Sequence, residues 1–356
     1  MRKRRRHVLG LATTLLLMGA CGHGSASSTH PADAPRGVMA AARPGAVVSL
    51  YEGYDAIGVH DVFVDRGWTS RFVALPEPAD DLAVLGEGRW AVAHGSSGTV
   101  VVIDGNAEPV DVASFDPAPL RLVSGDLDRD GHTDIVVASD GPAPALHLLF
   151  GGTNGFGSPR HVPLSPKGRS TPSVLLADLD REGSLDVLAG VWSGREGSPI
   201  PDHLRVFRNT THGKLSDEWT TRVRSPAHLH AADFDEDGLP DVLVTGPNGA
   251  WLNRSAGFGW LDTPEKLSGG AFTAGALADV DDDGRVDIVL LRADRDAVEV
   301  LPGVGAGRTA PVARYDVGEG PVALALVERD GETLIVTASA TDPSFTTVRA
   351  ARRRSR

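Results

Sequence analysis

The sequence predicts an all-β fold, a β-propeller ring of four-stranded blades, on three observations. An acidic loop occurs four times: "DLDRDGHTD" from Asp126, "DLDREGSLD" from Asp178, "DFDEDGLPD" from Asp233 and "DVDDDGRVD" from Asp279. Each copy is followed by a short β-branched run, and no amphipathic helix lies between copies. Gly 42 and Pro 24 in 356 residues supply the turns that many short strands need. The copies start 52, 55 and 46 residues apart. That period is too long for ankyrin or tetratricopeptide helices and suits one blade.

Along the chain, residues 1–20 read as a signal peptide, with basic Arg2 to Arg6 followed by an apolar run from Val8 to Ala20. The run is too short for a permanent membrane span. Cys21 is the single cysteine, so no internal disulfide can form. Its place after "LLMGA" resembles the lipobox of bacterial lipoproteins, which implies lipidation at Cys21 and residues 21–43 as a flexible tether. The resemblance implies an exported protein of the bacterial cell envelope, on the periplasmic or extracellular face, that meets the membrane only through its lipid. Loss of the basic leader shifts the formal net charge from −12 to about −17, a surface that repels nucleic acid.

The propeller is expected over residues 44–347, with a basic tail at 348–356. Each acidic loop opens a first run ("DIVVAS", "DVLAGV", "DVLVTG", "DIVLLR") and then a second ("ALHLLF", "LRVFRN", "AWLNRS", "AVEVLP"). A more polar third stretch follows, and a fourth run leads into the next loop. Two weaker copies, residues 82–94 and 324–339, lack most of the carboxylates. Six blades are therefore expected, the last completed by the N-terminal "AVVSLYEG" and "SRFVALPE"; seven is the alternative if residues 44–80 form a blade alone.

These loops, with "FGGTNGFGSP" from Phe150 to Pro159, resemble the FG-GAP or VCBS repeat of integrin-α-type propellers and bacterial surface proteins. In that family the loop joins the last strand of one blade to the first of the next and holds calcium. Calcium takes six to eight oxygen ligands in a flexible shell. Carboxylates at positions 1, 3, 5 and 9 and a carbonyl at 7 can wrap one ion, and glycine at 6 permits the turn. The four expected ligand sets are Asp126, Asp128, Asp130, His132 and Asp134; Asp178, Asp180, Glu182, Ser184 and Asp186; Asp233, Asp235, Asp237, Leu239 and Asp241; and Asp279, Asp281, Asp283, Arg285 and Asp287. An EF-hand would need Glu at position 12 and a following helix, whereas Val137, Ala189, Val244 and Leu290 stand there. About four Ca²⁺ ions with a structural role are expected, since four carboxylates and a carbonyl leave little room for a substrate.

No nucleophile-elbow, zincin or phosphate-loop motif is present. His228 and His230 alternate along one strand and would share a face, as a second metal site or as core-capping side chains. Trp192, Trp219, Trp251 and Trp260 suit either sugar stacking or outer-strand packing. The sequence thus predicts a monomeric, non-catalytic binding or scaffold module for a protein or glycan partner, with a polysaccharide lyase or hydrolase and an envelope assembly factor as alternatives.

Overall fold

The computed structural model describes residues 39–351, apart from 44, 51–55, 64–66, 87, 105–108, 140–143, 165–172, 193–201, 225 and 341–344. The signal peptide, Cys21, most of the tether and the end of the basic tail lie outside the described residues. Seven antiparallel sheets form a ring, with the first strand of each sheet at the hub. Blade 1 comprises β1 (Met39–Arg43), β2 (Ala46–Leu50), β3 (Ala56–Phe63) and β4 (Gly67–Ala74). Blade 2 comprises β5 (Asp81–Gly86), β6 (Arg89–His94), β7 (Thr99–Asp104) and β8 (Val110–Ser114). Blade 3 follows with β9 (Pro119–Gly125), β10 (Asp134–Ser139), β11 (Ala145–Leu149) and β12 (Arg160–Pro163). In blade 4 the strands are β13 (Ser173–Ala177), β14 (Asp186–Val191), β15 (His203–Thr211) and β16 (Lys214–Arg222). Blade 5 has β17 (His228–Ala232), β18 (Asp241–Gly246) and β19 (Gly249–Asn253), then a small hairpin of β20 (Ser255–Gly257) and β21 (Trp260–Leu261), and outermost β22 (Glu265–Ser268). Blade 6 holds β23 (Phe272–Ala278), β24 (Asp287–Arg292), β25 (Ala297–Leu301) and β26 (Ala313–Asp316). Among the described residues blade 7 has three strands, β27 (Pro321–Arg329), β28 (Glu332–Ser339) and β29 (Phe345–Val348).

The apolar runs of the second strands are explained by burial on two faces. In β10, Ile135 and Val137 pack toward blade 2, while Val136 and Ala138 pack toward blade 4. Both faces of a blade are covered, so "DIVVAS" is apolar throughout instead of alternating. One hydrophobic cluster fills each of the seven gaps between neighbouring sheets. The gap between blades 7 and 1 is the thinnest on one side: Val47 is the buried residue that blade 1 supplies to it, among the described residues.

The expected six blades give way to the seven-blade alternative. "AVVSL" and "SRFVA" belong to β2 and β4 of an independent blade 1, so they are not lent to the last blade. The strands β1 to β4 pair with one another in unbroken order, which leaves none to complete blade 7. Closure comes instead from packing of β1 against β27, with the Gly45 amide donating to the Glu328 carbonyl at 2.9 Å. The propeller also exceeds its expected limits: β1 begins at Met39, and Ala350 is buried in the cluster between blades 6 and 7.

Candidate metal centre

Each acidic loop connects the hub strand to the second strand of one blade: β9 to β10, β13 to β14, β17 to β18, and β23 to β24. The expected location between blades is therefore corrected. Asp134 pairs with Gly125 across a single sheet, and the same holds for Asp186 with Ala177, Asp241 with Ala232, and Asp287 with Ala278. The position-9 aspartate is thus the first residue of a strand, fixed by the ladder.

Backbone amides organise each loop around its carboxylates. Position 1 accepts from the glycine at position 6: Gly131 on Asp126 at 3.0 Å, Gly183 on Asp178 at 2.8 Å and Gly284 on Asp279 at 2.8 Å. Position 3 accepts from the amide of position 5 at 3.1 to 3.3 Å in all four loops. Two left-handed residues make the curl. Position 4 has φ of 65° at Arg129, 59° at Arg181, 66° at Glu236 and 60° at Asp282, and position 6 is always glycine with φ between 85° and 98°. Glycine is favoured there because a Cβ penalises that conformation.

The structure brings together Asp126, Asp128 and Asp134; Asp178, Asp180 and Asp186; Asp233, Asp235 and Asp237; and Asp279, Asp281 and Asp287, with one oxygen from each residue within 4.8 Å of the others in its set. The remaining expected carboxylates, Asp130, Glu182, Asp241 and Asp283, are not in these sets. Asp130 and Asp283 instead cap their own turns, accepting from the amides of His132 at 2.8 Å and Arg285 at 2.9 Å. Asp237 accepts likewise from Leu239 at 2.7 Å while remaining in its set. Ser184, the equivalent residue of the second loop, is buried.

A role that the sequence did not disclose belongs to position 9. One oxygen of each of these buried carboxylates accepts from the amide of loop position 2, at 2.7 Å (Leu127 to Asp134), 3.0 Å (Leu179 to Asp186), 3.2 Å (Phe234 to Asp241) and 2.9 Å (Val280 to Asp287). The other oxygen accepts from an amide of the third strand or just beyond it: Gly151 at 2.7 Å, Asn209 within β15 at 2.8 Å, Ser255 at 2.9 Å and Gly303 at 2.8 Å. Each aspartate therefore clamps both loops on one face of its blade. A period-based reading misses this because the second amide is 14 to 23 residues away in sequence.

The electrostatics favour a cation. Burial pushes Asp134, Asp241 and Asp287 up to about 6 and Asp186 to about 7, against the amides that pull them down. Burial also raises Asp178 and Asp233. One oxygen on each of the latter, Asp178 Oδ1 and Asp233 Oδ1, is buried without a hydrogen-bond partner. Such orphaned acceptors, facing other carboxylates, suit a hard divalent cation with oxygen ligands. The donor set therefore fits calcium, and the residues that would hold it are the four sets just named, with Asp237 in place of the position-9 residue in the third loop.

Neither of the other candidate groups assembles a centre. His230 Nδ1 accepts from the Leu277 amide of the next hub strand at 3.2 Å, and no histidine falls in a metal-competent cluster among the described residues. Trp251 is buried, whereas Trp260 is half exposed and stacks on Trp219 of the neighbouring blade at 5.2 Å between centroids. Phe258, in the same hairpin, is 80% exposed. Among the described residues, no helix is long and apolar enough to cross a membrane.

Fold and site together define a β-propeller carrying FG-GAP-like repeats, and the FG-GAP-like repeat family matches residues 126–189 and 233–290. Cartilage acidic protein 1 of Xenopus tropicalis is 30% identical over 135 residues, covering 33% of this chain and 20% of that protein. The chain thus spans about a fifth of that relative's length. Solved structures similar in fold include an Agrocybe aegerita lectin that recognises non-reducing terminal N-acetylglucosamine, at 16% identity and TM-score 0.59, covering 87% of this chain and 90% of that one. A streptogramin B lyase aligns at 12% identity and TM-score 0.58, over 87% and 91% of the two chains. BBS1N in complex with ARL6DN aligns at 10% identity and TM-score 0.61, over 86% and 87%.

Proposed function

We propose that the protein is a non-catalytic binding or scaffold module: a calcium-stiffened propeller held at the bacterial cell envelope through a lipid on Cys21, presenting its loops to a protein or glycan. The observation that carries this reading is the double clamp at position 9. Asp134, Asp186, Asp241 and Asp287 each spend both oxygens on backbone amides, so these four acids brace loops, which supports a structural use of the acidic curls. Bound Ca²⁺ would supply the positive charge that lets the crowded carboxylates ionise together. The Trp219 and Trp260 stack, with exposed Phe258 nearby, supports contact with a partner, because half-exposed rings bury well against sugar or side chains.

The experiment has two arms. Incubation with a panel of envelope polysaccharides and proteins should give retention that Trp260→Ala weakens, without shortening of any chain; depolymerisation would overturn the reading in favour of the enzyme. Expression with the leader should place the protein in the membrane fraction, and Cys21→Ala should release it. A membrane fraction indifferent to Cys21→Ala would remove the anchor from the proposal.

A further inference from the structure

The residue directly before the clamped amide differs among the four blades: Phe150 in blade 3, Arg208 in blade 4, Arg254 in blade 5 and Pro302 in blade 6. The two arginines reach back onto carboxylates of their own acidic loops. Arg208 places Nε on Asp180 Oδ2 at 2.5 Å and Nη2 on Glu182 Oε1 at 2.7 Å. Arg254 places Nη1 on Asp235 Oδ2 at 3.3 Å, while its Nη2 donates to Glu265 at 3.1 Å and to the Gly307 carbonyl at 2.9 Å. Both side chains are about three-quarters buried, so solvent screens them only in part. Phe150 and Pro302 cannot place a charge at this position.

Building on the calcium reading above, we propose that Arg208 and Arg254 set cation affinity: they are resident counter-charges that make the sites of blades 4 and 5 weaker for calcium than the site of blade 3. A guanidinium on the position-3 carboxylate neutralises part of the field that would attract a second cation, and it takes a lone pair that would otherwise point at the ion. It does not fill the site, because the orphaned oxygens Asp178 Oδ1 and Asp233 Oδ1 belong to these same two loops. The arginines therefore hold the two loops together when calcium is scarce and still allow loading when it is plentiful.

Isothermal titration of calcium into the chelator-stripped full chain tests this. The wild type should load in stages, with the sites of blades 4 and 5 filling after that of blade 3. The Arg208→Gln and Arg254→Gln double variant should tighten the later stage on the order of tenfold, while Arg208→Lys, which keeps the charge, should stay close to wild type. Far-UV circular dichroism confirms that the variants fold. Four ions bound in one uniform class, or a weaker stage unmoved in the double variant, would overturn the inference alone. No calcium uptake at any site would overturn the calcium reading and the inference with it.

Discussion

Blades 3 to 6 and blades 7, 1 and 2 form the same ring by two local means. In the first arc the hub strand reaches the second strand through a nine-residue acidic curl that ends on a buried aspartate. In the second arc the same connection is short: Asp330 and Gly331 turn the chain in blade 7 with φ of 51° and 80°, Gly45 serves blade 1 at 77°, and Gly86 and Gly88 serve blade 2 at 134° and 71°. Both arcs pack equally dense apolar second strands, with Val48, Val92 and Val336 as buried as Val136, Val187 and Val289. The blade is therefore specified by its strands, and the acidic loop is an addition on one face.

The largest effect should come from removing calcium. Each site saturated at a hundred times its Kd contributes about 2.7 kcal/mol, so chelation should lower the melting temperature by many degrees. Hydrogen exchange should rise in the four acidic loops and stay unchanged at the turns of blades 7, 1 and 2. An unchanged melt would erase the proposed difference between the arcs. Next in size is Asp186→Ala, which leaves the amides of Leu179 and Asn209 without their acceptor and should cost about 2–5 kcal/mol in denaturant unfolding with calcium present. Asp330→Asn, at a side chain 90% exposed, should stay within about 0.5 kcal/mol. Equal losses at the two positions would mean that the curl carries no more stability than a tight turn.

A pH-dependent effect arises in both arcs, since burial holds His147, His228 and His230 down as well, and in blade 1 it falls on His60. Buried His60, bonded to Ser49 and Ser70, is held down at about 3 by burial, below its usual 6.5. Above pH 6.5 it is neutral whether folded or unfolded, and stability is full. As pH falls below 6.5 the unfolded chain takes up the proton first, and stability drains at about 1.4 kcal/mol per pH unit until the folded pKa is reached. His60→Gln should flatten that acid limb relative to wild type when both are melted without calcium, and parallel limbs would exclude His60 as the cause.

The strands and the acidic curls were legible in the sequence because each has a local signature: a two-face apolar run, and carboxylates at fixed offsets around a glycine. Blade 1 is ambiguous in the sequence because its loop marker is missing; the turn at Gly45 has no acidic motif to announce it, so counting loops gives six where the ring has seven. The position of the curl within a blade is not legible, because a period fixes spacing and not phase, and nothing in "DLDRDGHTD" says which strand lies at the hub. The second partner of Asp134, the Gly151 amide, depends on sheet register. So does the reach of Arg208 onto Asp180, which becomes visible only once β14 and β15 are paired.

The placement of β1 has a mechanical consequence. Met39 opens a hub strand, and hub strands run toward the acidic loops, so the chain enters the ring near its axis from the opposite side. A pull on the chain at Met39 would therefore act on the side away from the four curls. Tension on it would load the row of β1 to β2 hydrogen bonds side by side in shear, the geometry in which all must yield together, rather than peeling a rim strand one bond at a time.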